Sequence, residues 1–309
     1  MQLSLDKKQL AALLPGIAQD YLGTSVQGLL YLGGGTYGRV FAAQLADGSK
    51  IALKAYRTND MHETEANQLK MLAANTSVPM PQVLFVHSDE SLAVLGMSFI
   101  PGRNVLDPRF LLKNASAKKK FAQDTAQGLL ELHSTKGTKY GGLQNPTHTS
   151  WLAYYKETIA EDILTGLGKL AAEGKYSAKR HDLLCRGYER FEQAAEEPET
   201  PVLVHGDLNI MNIMAEPKTL ALTGFIDPCG TMWADRDYDL FQLQNMWGNQ
   251  YGLYETYTAL CGASPHRELK VAFYGALNEA ACILRAGVGY EIWQQLWNRR
   301  LQAQLERYQ

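Results

Sequence analysis

Val204-His205-Gly206-Asp207-Leu208-Asn209-Ile210-Met211-Asn212, followed shortly by Phe225-Ile226-Asp227-Pro228, is the stretch on which the reading of this chain turns. It supplies three oxygen-bearing side chains, Asp207, Asn212 and Asp227, each close to an apolar residue that can anchor it to a core. Such a set suits phosphoryl transfer, in which a carboxylate orients the attacking hydroxyl and hard oxygen ligands hold Mg²⁺ against phosphates. In that arrangement Asp207 is the candidate catalytic base, and Asn212 and Asp227 are candidate metal ligands. A plain turn is the competing reading, because Gly, Asp and Asn are favoured in turns for backbone reasons.

Working outward, the strand-like Leu29-Leu30-Tyr31-Leu32 runs into Gly33-Gly34-Gly35-Thr36-Tyr37-Gly38-Arg39-Val40, where Gly33, Gly35, Gly38 and Val40 fit G-x-G-x-x-G-x-V. A dinucleotide-binding fingerprint would open a helix at this point. Instead a second strand-like run, Val40 to Leu45, and the hairpin signal Asp47-Gly48 follow. Strand, glycine loop, strand, turn and strand is the order in which kinases lay a backbone flap over ATP phosphates, with glycines letting amides approach unobstructed by a Cβ. A G-x-x-x-x-G-K-[ST] loop is absent.

The third strand reads Lys50-Ile51-Ala52-Leu53-Lys54-Ala55-Tyr56. Period two puts Ile51, Leu53 and Ala55 on one face and Ala52, Lys54 and Tyr56 on the other. A strand lysine is more often a solvated edge residue, but this one resembles the lysine of V-A-I-K and follows the glycine loop, so it is the candidate ligand of the α- and β-phosphates. The next helix opens with Asp60-Met61-His62-Glu63, spaced as a capping box. Glu65, Leu69 and Leu72 share its inward face, so Glu65 needs a cationic partner there, and Lys54 is the natural one. Glu63 is the fallback if the helical phase is shifted.

Two more strands are expected over Val78–Val86 and Ser91–Ile100, with a turn at Ser88-Asp89-Glu90. Met97 to Ile100, including Phe99, is the candidate adenine edge, because kinases carry their lobe hinge here; a plain buried strand is the alternative. Beyond Asn104 the chain becomes helical. Residues 137–200, which have no counterpart in the minimal kinase plan, are assigned by elimination to shaping the acceptor pocket. After Asp227 there is no Phe-Gly and no Ala-Pro-Glu, and Gly206 replaces the arginine that would read an activation-loop phosphate. A small-molecule acceptor is therefore expected rather than a protein. Asp235, Asp237 and Asp239 lack the glycine and glutamate of a calcium loop, and Asp239 is expected to brace the catalytic loop. The C-terminal aromatics, Trp247 to Trp297, are expected to be mostly core.

Composition sets the limits. The 309 residues, 46% of them hydrophobic, suffice for two modest domains or one large one. A net charge of −2 gives no overall basic field for nucleic acid or an acidic membrane. No apolar run approaches the roughly 18 residues that span a bilayer, and residues 1–8 lack signal-peptide order, so the expected location is cytoplasmic. Cys185, Cys229, Cys261 and Cys282 are too widely spaced for a zinc ribbon or a Cys-x-x-Cys site and read as reduced thiols. Cys229 either lines the site or is a small buried residue.

Taken together, the pattern resembles the aminoglycoside phosphotransferase, choline kinase and fructosamine kinase superfamily from Gly33 to about Tyr257. The motifs that carry the resemblance are His205-Gly206-Asp207 to Asn212, Ile226-Asp227, and Asp235 to Leu240, together with Lys54 and Glu65. The fructosamine, or ketosamine, kinase branch is the nearest in pattern, through Thr149-Ser150-Trp151 and the run from Asp227-Pro228 to Tyr257. Where that branch carries Trp-Ser-Gly-Asn, this chain has Asn209-Ile210-Met211-Asn212.

The expected fold is α+β and two-lobed, protein-kinase-like, with a small antiparallel-sheet lobe carrying one main helix and a larger, mostly helical lobe. Residues 1–100 form the expected nucleotide-binding lobe, with a leading helix over 1–23 that Pro15 bends or divides. Residues 101–309 form the expected catalytic and acceptor-binding lobe. The expected function is ATP- and Mg²⁺-dependent transfer of a γ-phosphate to a hydroxyl of a small molecule, a fructosamine-type sugar amine. Alternatives are an aminoglycoside or choline-type amino-alcohol kinase, and a nucleotide-binding pseudokinase. A metal-dependent phosphohydrolase using His205, Asp207 and Asp227 would need neither glycine flap nor strand lysine. No nucleic-acid, membrane or protein partner is implied.

Overall fold

The structure is a computed structural model and describes residues 6–35, 37–56, 60–198, 200–287 and 289–308. Its first third is built on an antiparallel sheet of β1 (Val26–Gly34), β2 (Gly38–Leu45), β3 (Lys50–Tyr56), β4 (Val83–Ser88) and β5 (Ala93–Ser98), in the order β1-β2-β3-β5-β4. Strand alternation decides what each face meets. Ile51, Leu53 and Ala55 join Phe41, Phe85 and Val94 against Leu10, Leu14 and Ala18 of helix α1 (Lys7–Leu22). The opposite face, with Tyr56, Leu95 and Met97, packs on Ala66, Leu69 and Leu72 of α2 (Met61–Ala73).

Three local expectations change. Pro15 lies inside α1 without dividing it; Leu10, Leu14 and Ala18, on both sides of it, are buried on the sheet. The first five residues of the expected leading helix, and Thr36 of the glycine loop, lie outside the described residues. Asp60 does not close a capping box, because its own backbone is already helical at φ −104°, ψ −22°, and its side chain caps no amide. The strand expected from Val78 begins at Val83, since Pro79 and Pro81 offer no N–H to a ladder.

The remainder is mostly helical. After the short β6 (Arg103–Asn104), α3 (Ala115–Ser134) runs through the core, and β7 (Gly141–Gly142) leads to α4 (Trp151–Tyr155), α5 (Glu161–Ala172) and α6 (Ala178–Ala194). The strands β8 (Val202–Val204), β9 (Ile213–Ala215), β10 (Leu222–Phe225) and β11 (Met232–Ala234) frame the loop opened by His205. Helices α7 (Leu253–Cys261), α8 (Arg267–Ala286) and α9 (Glu291–Arg307) close the chain. Of the C-terminal aromatics, Tyr251, Tyr254, Tyr257, Trp293 and Trp297 are buried, whereas Trp247 is exposed and stands edge-on to Trp293 with ring centroids 5.0 Å apart. No described helix is long and apolar enough to cross a membrane.

A knot of charge fixes α8 to the turn after β11. Lys270 Nζ lies 2.8 Å from Asp235 and 2.7 Å from Asp237, and Arg267 Nε donates to Asp237 at 3.0 Å. Ser264 and Tyr274 hydroxyls donate to the same two carboxylates. These acids are therefore structural ligands of the helix.

Candidate functional site

The loop after β8 is shaped by one carboxylate. Asp239 accepts from the amides of His205 at 2.8 Å and Gly206 at 2.7 Å, and its Oδ2 lies 3.2 Å from His133 Nε2. Burial alone would raise its pKa; the bonds from His133 and the loop amides carry it below the ordinary carboxylate value. Gly206 sits at φ +86°, and a Cβ there would fall 2.5 Å from the Cys229 carbonyl, so the turn needs glycine on both counts. His205 is fully buried, and loss of solvent pushes its pKa down to about 4, so it is neutral, and its Nδ1 accepts from the Asp207 amide at 3.3 Å.

Past this turn Asp207 is held by three side-chain amides. Its Oδ1 accepts from Asn209 Nδ2 and Gln242 Nε2, each at 2.8 Å, and its Oδ2 accepts from Asn212 Nδ2 at 2.9 Å. Burial, followed by the negative charge of Asp227, lifts its pKa to about 7 against the opposing pull of Asn209 and Asn212. A carboxylate so oriented and so tuned can take a proton from a hydroxyl near neutral pH.

Asp227 reaches the same place from β10. The Ile226 amide donates to the Asn212 carbonyl at 2.9 Å, tying the two segments together. Asp227 takes a left-handed φ of +54°, and its carboxylate Oδ1 is in contact with Lys54 Nζ, with half of the side chain exposed. On its other side the Lys54 ammonium lies 2.6 Å from Glu65 Oε2, which also accepts from Tyr56 OH at 2.8 Å. Glu63 is not involved; Glu65 is the inward acid. Burial works against the Lys54 charge, but the two carboxylates more than reverse it and hold the ammonium above its ordinary pKa. Asn212 spends its Nδ2 on Asp207, and among the described residues no donor occupies its Oδ1 or the Oδ2 of Asp227. Two free hard oxygens on adjoining segments are a donor set that suits Mg²⁺.

The glycine loop closes over β3. Gly33 pairs with Val40, Val40 with Lys54, and Gly38 with Tyr56. At Gly38 a Cβ would lie 2.7 Å from the Ala55 carbonyl, so the loop's return is close to Lys54 because it has none. Arg39 Nη1 donates to the carbonyls of Gly35 at 3.1 Å and Gly38 at 3.2 Å, bracing the loop from its flank. Met97 is buried in register with Ala52 and Val83, Phe99 is partly buried just past the strand, and the intervening Ser98 amide is already donated to the Gln82 carbonyl at 2.9 Å.

A cavity of about 560 Å³ opens on the other side of Asp207. Its lining includes Gly206, Asp207, Cys229 and Gln242, tyrosines from the glycine loop (Tyr37) and α4 (Tyr154, Tyr155), and Glu279, Cys282 and Arg285 of α8. None of Gly33, Gly35, Gly38, Val40, Lys54, Glu65, Met97 or Phe99 lines it. Those residues lie on the sheet side of Asp207 and Asp227. Cys229 and Cys282 are exposed, but partial loss of solvent within the cleft raises both to about 11, so both thiols are protonated.

Sequence reasoning did not find Asn209 and Gln242 as partners of Asp207, nor Tyr56 as a partner of Glu65. Asn209 lies inside the quoted loop, so its proximity was available; Gln242 belongs to no recognisable spacing. Residues 137–200, assigned to the acceptor side, do send Tyr154, Tyr155, Ile159 and Ile163 into the cavity.

The likenesses to known proteins fit this geometry. The probable ketoamine kinase YniA of Escherichia coli K12 is 28% identical over 182 residues, which is 58% of this chain and 59% of that protein's length. The crystal structure of a candidate fructosamine-3-kinase of Thermobifida fusca superposes with a TM-score of 0.70 at 18% identity, covering 94% of this chain and 98% of that one. The GDP complex of aminoglycoside 2′-phosphotransferase-IIIa superposes with a TM-score of 0.68 at 17% identity, covering 98% and 100%. At these identities the structural likeness is one of fold, two-lobed and kinase-like. The family model described as the phosphotransferase enzyme family matches residues 29–303, so this chain belongs to that family.

Proposed function

We propose that this protein is an ATP- and Mg²⁺-dependent kinase that phosphorylates a hydroxyl of a small sugar amine of the ketosamine or fructosamine type. The observation that carries the reading is the convergence of Lys54, Glu65 and Asp227 beside an amide-held Asp207 that faces a separate cavity. Residues 1–100 would hold the nucleotide and residues 101–309 the catalytic loop and acceptor. Lys54, fixed by Glu65, would take the α- and β-phosphates under the loop of Gly33, Gly35, Gly38 and Val40, with the adenine against Met97 to Phe99. Asn212 and Asp227 would hold Mg²⁺, which when bound neutralises phosphate charge.

Asp207 would orient the acceptor hydroxyl and accept its proton as the oxygen bonds to the γ-phosphorus. The bond from that phosphorus to the β-bridging oxygen breaks and ADP leaves. Asn209, Asn212 and Gln242 fix the rotamer of the base, so that the hydroxyl meets it with little reorganisation. The acceptor class is supported by the name of the Escherichia coli relative and by a tyrosine-walled cavity of sugar size.

The test is ADP release by the purified protein with Mg²⁺-ATP against a panel of sugar amines, aminoglycosides and amino alcohols. The expected result is acceptor-dependent turnover that Asp207→Asn lowers by about a thousandfold while nucleotide binding persists. Full turnover in Asp207→Asn would refute the role of Asp207. Nucleotide binding without turnover on any acceptor would favour a pseudokinase.

A further inference from the structure

One residue of the sheet side reaches across to the cavity beyond Asp207. Every described residue that lines this cavity lies at position 154 or later in the chain, except Tyr37 of the glycine loop. Gly33, Gly35 and Gly38 of the same loop do not line it, so the backbone and the side chain of one short turn serve different spaces. The Tyr37 side chain is 44% exposed, and among the described residues its hydroxyl makes no hydrogen bond and its ring meets no other ring. A large ring left without packing or a polar partner is costly unless something else covers it. Burial first, then Cys229, Cys282 and Asp207, hold its hydroxyl above the ordinary phenol pKa against the pull of Arg285. All four of these groups are cavity residues.

The phenol is tied to the movement of the loop that carries it. Arg39 Nη1 donates to the carbonyls of Gly35 at 3.1 Å and Gly38 at 3.2 Å, one on either side of Tyr37, so the side chain travels with the braced backbone. At the root of the loop the β1–β2 register slips between Tyr31 and Gly33, and Gly33 has a φ of +152°. An interrupted ladder beside a glycine is a place where a hairpin bends. A Cβ built on Gly33 or Gly35 would meet nothing within 4 Å, so the loop has open space about it. Phosphates that accept from loop amides draw such a turn toward themselves, and here the ring is drawn with it.

Resting on the kinase reading above, we infer that Tyr37 is a positioning residue that forms the moving wall of the cavity: a nucleotide holding the glycine loop draws the Tyr37 ring over the space beside Asp207. The phosphate donor thus completes the chamber in which the hydroxyl is to meet the base. The ring does this by covering area, so the hydroxyl is dispensable and the aromatic body is not. Closure costs nothing in lost contacts, because the open loop leaves the ring without a partner.

The test reads Cys282, an exposed thiol of α8 that lines the cavity. Its alkylation by iodoacetamide is followed by mass spectrometry at one fixed pH, in the free protein and in protein saturated with Mg²⁺ and a non-hydrolysable ATP analogue. Calorimetry measures binding of the analogue to each variant. The analogue should slow Cys282 by at least about fivefold in the wild type and in Tyr37→Phe, and leave its rate unchanged in Tyr37→Ala. Cys185 and Cys261, which do not line the cavity, should keep their rates throughout. Equal protection of Cys282 in Tyr37→Ala and the wild type, no protection in wild type holding the analogue, or a slowing shared by Cys185 and Cys261 would overturn the inference. So would loss of analogue binding in Tyr37→Ala, which would put the ring on the nucleotide instead. Failure of the wild type to bind the analogue would overturn the kinase reading beneath it.

Discussion

Two groups of acids share the last third of the chain, and they differ in what surrounds them. Asp235, Asp237 and Asp239 are 0–2% exposed, and their oxygens are taken by Lys270, Arg267, two hydroxyls, His133 and two loop amides. Asp227 keeps one oxygen open beside Lys54, the cation it touches, and Asp207, although three side-chain amides hold it, lines the cavity. The first group is framework, fixing α8 and the loop opened by His205. The second is available for a ligand. Spacing alone does not separate the two; access does, since Asp207 lines the cavity and half of the Asp227 side chain is exposed.

Substitutions should divide along the same line. Asp227→Asn is expected to lower turnover by about a thousandfold, since charge stabilisation of this kind is worth several kcal/mol, with the thermal midpoint nearly unchanged. Asp237→Ala should do the reverse. Breaking a buried ion pair costs about 3–5 kcal/mol, so calorimetry should show the midpoint falling by roughly 10 °C while the folded fraction stays active. If the two variants exchanged phenotypes, the division would be wrong.

Glu279 sharpens the contrast, because burial lifts its pKa to about 7 without a cation to oppose it. A carboxyl whose folded value lies above its unfolded value of 4.5 favours folding in its protonated form. The penalty is therefore absent below about pH 4.5 and fully present above about pH 7. Denaturant titrations should find wild type and Glu279→Gln equally stable near pH 4.5, with the variant more stable by roughly 2–3 kcal/mol near pH 8. Gln242→Leu should show the smallest effect. Losing one of three amide contacts to Asp207 is expected to lower kcat about tenfold, or about 1.4 kcal/mol, with KM for ATP unchanged.

The sequence made legible what is local or periodic. The glycine loop, the alternation that places Lys54 opposite Ile51, and the helical phase that turns Glu65 inward all follow from the neighbours of each residue, and the structure brings Lys54 and Glu65 together. The motifs also pointed to the family that the comparisons show. Contacts made across long separations were not legible. Gln242 meets Asp207 across 35 positions, and Asn245 meets Glu279 across 34, with Asn245 held in turn by Gln242 and by the distant Trp297. Asp60 shows the limit of motif spacing even at short range, since its own φ and ψ withdrew the cap that the spacing promised.

The central claim is that Lys54, Asn212 and Asp227 form a magnesium–nucleotide site beside Asp207. Its most direct test is calorimetric titration of ATP with and without Mg²⁺ into the wild type, Asp227→Asn and Asp207→Asn. The expected result is binding that Mg²⁺ strengthens in the wild type and in Asp207→Asn, with that gain lost in Asp227→Asn. ATP binding indifferent to both Mg²⁺ and Asp227 would contradict it.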